Sequence, residues 1–421
     1  MAVSPRPSQS HPYLILFALW LMVFSSSSQV IIIAPILPRI GAALDIPATL
    51  LGTLITGYAV MLSLFALIMG PISDKFGRRH VLLIGSISMS AALFLHGIAD
   101  SYLSLLTVRA LAGAAGGALS GAAVAYVGDY FPYERRGWAN GWVMSGIAFG
   151  QIIGVPVGTL LADFFGFRWP FLMFAFSMLL ASILIWLVVP QPNVQRDLNR
   201  LSVRGALTNY ANLLKRQDVT AVSVVYFLMF FSVGLYITYL PTWLENTLHV
   251  NGTHIASLFF AGGIANIVTG PIAGRMSDRI GRKPLIVTSC IGLGLIMVLT
   301  TYLVGSMFAA YLMFAAAMVM VAMRISPFQS LVSSLVSGER RGALMSLTVA
   351  LGQIGVGIGG GVAGMVYTRY GFFSNSLIGA LTILIMAYLV QQRIPEPGEL
   401  QATTLRGDAN TAPTETATPA P

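Results

Sequence analysis

Gly70-Pro71-Ile72-Ser73-Asp74-Lys75-Phe76-Gly77-Arg78-Arg79 is a charged turn set between two long apolar runs, and much of it returns later in the chain. Gly270-Pro271-Ile272 repeats its opening, and Ser277-Asp278-Arg279-Ile280-Gly281-Arg282-Lys283 repeats its close with a small local shift. At nearly the same offset, Glu134-Arg135-Arg136-Gly137 recurs as Glu339-Arg340-Arg341-Gly342, Gly150 and Gly154 as Gly355 and Gly359, and Gly166 as Gly371. The chain is therefore read as two copies of one unit.

Composition says what solvent that unit meets. Of 421 residues, 56% are hydrophobic and only 9% are charged, against about 25% charged in soluble domains. Such a chain cannot cover a water-exposed surface, so a lipid bilayer is its expected surrounding. The net charge of +9 does not point to nucleic acid, because the basic residues sit in short clusters between apolar runs. A bilayer core takes about 20 apolar residues per helix. Runs of that kind predict spans at 13–37, 48–70, 81–99, 102–130, 138–162, 169–189, 219–240, 253–273, 284–304, 307–335, 344–366 and 372–392. The expected fold is an all-α membrane protein: twelve transmembrane helices in two six-helix pseudo-symmetric bundles. The first run is too long for a signal-peptide core and is read as a retained span.

Lys and Arg in the loops orient the spans. One set of loops carries Lys75, Arg78, Arg79, Arg135, Arg136 and many more; the opposite set carries only Arg39, Arg168 and Arg369. The first set is read as cytoplasmic, with both termini, in a bacterial inner membrane. The expected organisation is an N-terminal cytoplasmic segment (1–12), an N-terminal six-helix bundle (13–189), a basic cytoplasmic linker loop (190–218), a C-terminal six-helix bundle (219–392) and a disordered tail (393–421).

The stretch from Gly70 to Arg79 is similar to the signature loop between the second and third helices of the major facilitator superfamily. The resemblance runs over essentially the whole ordered length. It implies two bundles packed about a pseudo-two-fold axis, with a ligand site between them near mid-membrane and alternating access by rocking. It also implies a conformational latch built from Gly70, Asp74, Gly77, Arg78 and Arg79, with Asp129 as the acid that Arg78 bridges, and a second copy in Asp278 and Arg282. Leu105 to Gly117 is similar to the family's fourth-helix motif, whose arginine, here Arg109, is implicated in proton-linked transport. Gly146, Gly150, Gly154, Pro156 and Gly158 form a stripe at four-residue spacing suited to close helix contact. The stripe resembles the exporter motif, with Gly154-Val155-Pro156-Val157-Gly158 replacing the usual Gly-Pro and double Gly. Gly166-Phe167-Arg168-Trp169 and Arg324-Ile325-Ser326-Pro327 look like the drug-efflux and arabinose-efflux-permease branch.

In such a fold the first, fourth, seventh and tenth helices line the pathway. The expected cavity residues are Gln29 (with Ser25 to Ser28), Arg109, Tyr236, Tyr239, Asn266, Arg324, Gln329 and Gln353; Gln151 is a further candidate. Every acid falls outside the deep membrane, whereas Arg109 and Arg324 fall within it. This distribution points to a neutral or anionic small-molecule substrate, with protons as coupling ion and a monomeric protein. Export by proton antiport leads; uptake of an organic anion by proton symport is the alternative, and a non-transporting membrane sensor ranks below both. An enzyme is not expected: the five histidines form no metal-ligand spacing, no nucleophile constellation is present, and no phosphate-binding glycine loop with its lysine points to ATP. No cofactor is expected.

Overall fold

The computed structural model describes residues 12–192, 203–335 and 340–394, and its regular structure there is helical. The N-terminal half holds α1 (Pro12–Ile31), α2 (Ile33–Leu44), α3 (Ala48–Leu51), α4 (Thr53–Phe76), α5 (Arg78–Leu95), α6 (Tyr102–Leu119), α7 (Ala122–Tyr130), α8 (Tyr133–Phe149), α9 (Val155–Phe165) and α10 (Arg168–Val188). After α11 (Val203–Leu214) the C-terminal half holds α12 (Gln217–Leu248), α13 (Gly252–Ile280), α14 (Arg282–Leu303), α15 (Met307–Ser334), α16 (Arg340–Tyr370) and α17 (Phe372–Arg393). Twelve segments built from these helices are long and apolar enough to cross a membrane. The expected leading segment before Pro12, part of the linker, Glu339 and the tail beyond Ile394 lie outside the described residues, as do the side chains of Gly70, Asp74, Arg340 and Arg341.

Several spans differ from the sequence reading for identifiable reasons. The run 13–37 loses one ladder bond: Pro35 has no N–H to offer the Ile31 carbonyl, and α1 passes into α2 at Ile32, which keeps helical backbone angles. The run 102–130 is interrupted at Ser120-Gly121, where Gly121 takes φ +74°. The seventh span was expected to stop at 240, before Pro241; α12 carries on through Pro241 to Leu248, since a proline inside a membrane helix is tolerated where neighbours satisfy the freed carbonyl. The stretch 190–218 is not wholly loop. α11 sets Tyr210 and Leu213 on one side, burying Leu213, and the Tyr210 hydroxyl donates to the Leu67 carbonyl of α4 at 3.3 Å.

The internal repeat is visible in the way helices end. α4 stops at Gly77 (φ +95°) with its amide on the Ser73 carbonyl, and α13 stops at Gly281 (φ +100°) with its amide on the Ser277 carbonyl. A positive φ costs glycine little and a side-chain-bearing residue much, which is why both copies of the signature turn keep it. The glycine stripes repeat too. Cβ atoms added at Gly146, Gly150 and Gly154 would meet Trp20, Phe24, Ser27 and Ser28 of α1; those at Gly355 and Gly359 would overlap the Phe227 and Phe231 backbone of α12. Between Gly150 and Gly154 the helix widens into one π turn, a feature often found at functional sites. Across the halves, α4 packs on α16 and α9 on α13.

These contacts set a packing prediction. Gly355→Leu should lower the melting temperature of the purified protein, because overpacking a tight seam costs about 1–3 kcal/mol. Gly128→Ala on α7, where nothing lies within 4 Å of the added atom, should leave it unchanged or raise it slightly. Equal melting of the two variants would contradict the seam.

Candidate functional site

Two arginines are buried in the apolar part of the molecule, Arg109 on α6 and Arg324 on α15, each 1% exposed. The described acids stand at helix ends, so neither arginine has a carboxylate across from it. Their surroundings nevertheless differ sharply.

Arg109 is held by its own half through Nη1 and aromatic faces, although its Nε, too, is buried without a hydrogen-bond partner among the described residues. Its Nη1 donates to Gln29 Oε1 at 3.0 Å and to the Gln29 carbonyl at 3.5 Å. Gln29 Nε2 in turn donates to the Tyr58 hydroxyl at 3.0 Å. The guanidinium lies 4.5 Å from the Tyr58 ring centre and 6.0 Å from that of Phe171, where the ring quadrupoles attract a cation. His96 stacks on the other partner of this group, Phe171, at 4.3 Å, with Nδ1 set 2.8 Å from the Ala92 carbonyl. α1, α4, α6 and α10 thus enclose the charge. Arg324 has no such enclosure. Its Nε, Nη1 and Nη2 are buried without a hydrogen-bond partner among the described residues. The Cys290 thiol on α14 lies close enough to interact electrostatically, without hydrogen-bond geometry.

The other expected pathway residues scatter. Tyr236 turns into the C-terminal half, its hydroxyl 2.8 Å from Thr300 Oγ1 and its ring against Phe372. Ser25 pairs with Ser177 at 2.6 Å, and Ser28 donates to the Phe24 carbonyl at 2.6 Å. Asn266, Gln151 and Gln353 are half-buried and Gln329 is exposed; Gln329 and Thr348 lie against the Tyr226 hydroxyl.

Tyr239 sits where the halves meet. Its hydroxyl donates to the Ala48 carbonyl and accepts from the Gly52 amide at 3.2 Å. Further along the same seam, Thr56 Oγ1 donates to the Gly357 carbonyl at 2.5 Å and Ser63 Oγ to the Ala350 carbonyl at 2.9 Å. At the end of this seam Arg39 on α2 holds two acids. Its Nη2 is 2.9 Å from Asp163 Oδ1 on α9, and its Nη1 bonds Glu245 Oε1 on α12. The first pair lies within one half; the second ties one half to the other. The sequence marked Arg39 only as a loop residue and left its two acids unassigned. The signal available was that Arg39 is one of just three basic residues in its set of loops. The other two also have local work: Arg168 Nη2 donates to the Ala99 carbonyl at 2.7 Å, and Arg369 stacks over Tyr370.

At the opposite end, Arg78 Nε donates to Asp129 Oδ2 at 2.9 Å, fastening the start of α5 to the end of α7. Arg79 Nη2 donates to the Trp186 carbonyl at 2.7 Å. In the second copy Asp278 is exposed and Arg282 half-buried.

A twelve-span protein in two repeated halves, with a seam closed at one end, has the build of a membrane transporter, and comparison with known proteins agrees. The family model of the Major Facilitator Superfamily matches residues 19–243 and 222–415, and the chain belongs to that family. It is 29% identical over 378 residues to the MFS-type transporter YwfA of Bacillus subtilis (strain 168), covering 89% of this chain and 90% of that one. It is 28% identical over 373 residues to the multidrug resistance protein MdtG of Proteus mirabilis (strain HI4320), covering 85% and 90%. The crystal structure of a D-xylose–proton symporter superposes with TM-score 0.77 at 18% identity, over 91% of this chain and 98% of that one. The protein is an integral membrane transporter for small molecules.

The Arg109 enclosure makes a graded prediction. Gln29→Leu should lower the melting temperature markedly, since a hydrogen bond to a charged group contributes about 1.5–3 kcal/mol. Tyr58→Phe should lower it less, because the ring face stays on the guanidinium. A larger loss for Tyr58→Phe than for Gln29→Leu would overturn this ranking.

Proposed function

We propose that the protein exports a small neutral or anionic organic compound across the bacterial inner membrane in exchange for protons, by alternating access. The observation that carries this reading is the seam closed at one end: Arg39–Glu245, Tyr239, Thr56 and Ser63 join the halves from that end to mid-helix. Loop charge puts that end outside, with the Arg78–Asp129 end and both termini in the cytoplasm. On that orientation the closed seam is read as an outer gate that must open to release substrate. The export direction is supported by the likeness to MdtG and by the glycine stripe of α8 and α9, which lets α1 approach closely. The anionic or neutral preference rests on charge: the membrane interior holds two guanidinium groups and no described acid. In a medium of low effective dielectric, such charge repels cations strongly. Asp74, Arg78, Arg79 and Asp129, with Asp278 and Arg282 in the second copy, are assigned to a latch at the cytoplasmic end. The protein works as a monomer with no cofactor.

Everted membrane vesicles carrying the protein should accumulate substrate when acidified inside, and the accumulation should collapse on adding an uncoupler at constant ATP. Arg109→Ala should abolish it. Accumulation by right-side-out vesicles under an inward proton gradient would contradict the export direction, and a permanent organic cation as best substrate would contradict the charge argument.

A further inference from the structure

Of the two buried arginines, Arg324 is the one whose environment is incomplete. It stands 17 residues into α15, about 25 Å from that helix's outer end at 1.5 Å per residue. All three guanidinium nitrogens are buried and unpartnered among the described residues. Its one named neighbour among the described residues is soft and uncharged: the Cys290 thiol of α14, itself 3.9 Å from the Met386 sulfur of α17. The described acids of the C-terminal half, Asp218, Glu245 and Asp278, belong to the ends of α12 and α13. Arg109 shows what a resident arginine looks like in this fold, with amide oxygen on one side and an aromatic face on the other. A buried cation without an acceptor is strongly unfavourable unless something completes it.

We propose that Arg324 is an anion-receiving site, at the meeting of α14, α15 and α17, for an oxyanion such as a carboxylate, sulfonate or phosphate group. This deepens the export reading and rests on it only for the source of the anion. Arg324 takes the charged group, and Arg109, tied through Nη1 to Gln29 and set on the Tyr58 ring, holds the N-terminal half in shape. The guanidinium's planar fork matches an oxyanion's two oxygens. Its burial gives that match strength, and the neutral Cys290 thiol beside it offers no competing acceptor charge.

The chain's single cysteine supplies the readout. Cys290 is buried, so a thiol-reactive fluorogenic dye labels it only as the C-terminal half opens on heating. Tryptophan fluorescence gives a second melting curve that does not depend on the thiol. The purified full chain, Arg324→Met and Arg109→Met are compared at constant ionic strength in sodium chloride. Arg324→Met should melt higher than the unmodified protein, because it removes a cation with no acceptor. Arg109→Met should melt lower, because it breaks the Gln29–Arg109–Tyr58 cluster. Benzoate, but not its neutral isostere benzamide, should raise the melting temperature of the unmodified protein and of Arg109→Met, and leave Arg324→Met unmoved. A shift with benzoate alone assigns the site to an organic substrate's own group. An equal shift with inorganic phosphate assigns it to a free oxyanion. The proposal is overturned if Arg324→Met melts lower or fails to fold, if neither anion shifts the unmodified protein, or if the shift survives in Arg324→Met. None of these outcomes depends on a gradient or a transport direction, so this proposal and the export reading fail separately.

Discussion

Lipid offers no hydrogen bonds, and this one deficiency shapes the molecule. Every polar group that leaves the helix ends must find its partner inside the protein. Serine and threonine hydroxyls therefore turn back on carbonyls of their own helices, as Ser28 does on Phe24 and Thr159 on Val155. Where two helices touch, small residues bring backbone against backbone, because dispersion at close range is the attraction that lipid cannot match. The glycines of α8, α9 and α16 serve α1 and α12 in that way, and the repetition of the arrangement in both halves makes the halves alike.

The seam between the halves uses the same close approach, Gly52 against Gly360 and Gly357 against Ala59, and adds side-chain bonds to it. Its hydrogen bonds run from side chains to backbone carbonyls, Thr56 to Gly357 and Ser63 to Ala350, and its one cross-half ion pair among the described residues, Arg39–Glu245, stands at the rim. Such bonds are individually modest, about 0.5–1.5 kcal/mol each, and a partly solvated ion pair adds little more. A seam of that strength holds a state without locking it. Weak joints between rigid bodies are what alternating access requires, and in the proposed cycle this is the joint that opens. When it does, Arg39 keeps Asp163 as a partner inside its own half while Glu245 loses its own.

Much of this was legible in the chain. The twelve spans follow from hydropathy, and the two halves from recurring turns whose positive-φ glycines the structure repeats. Arg78 and Asp129 meet, as the family resemblance implied. What hydropathy could not supply is the rotation of each helix about its axis. Tyr236 and Arg109 were expected to face a shared cavity, yet each faces the interior of its own half, because a polar residue in an apolar helix satisfies itself wherever acceptors are nearest. Nor could the sequence bring Arg39 to Glu245, 206 residues away, since only the packing of α2 against α12 does so. The lost bond at Pro35 was readable from proline's missing N–H; the π turn at Gly150–Gly154 was not, because glycine spacing alone does not distinguish it from an ordinary close contact.

The central claim is that the Arg39–Glu245 end and the Arg78–Asp129 end open alternately. Distances between spin labels test it most directly, in lipid and in a Cys290→Ala background. One pair of cysteines replaces Ala43 and Thr247 near the sealed end, and a second replaces His80 and Arg279 near the other. All four positions are exposed. The account predicts opposite changes: on lowering the pH or adding substrate, the first distance lengthens as the second shortens, with two populations in each. Distances that lengthen together, or that stay fixed at both ends under every condition, would contradict it.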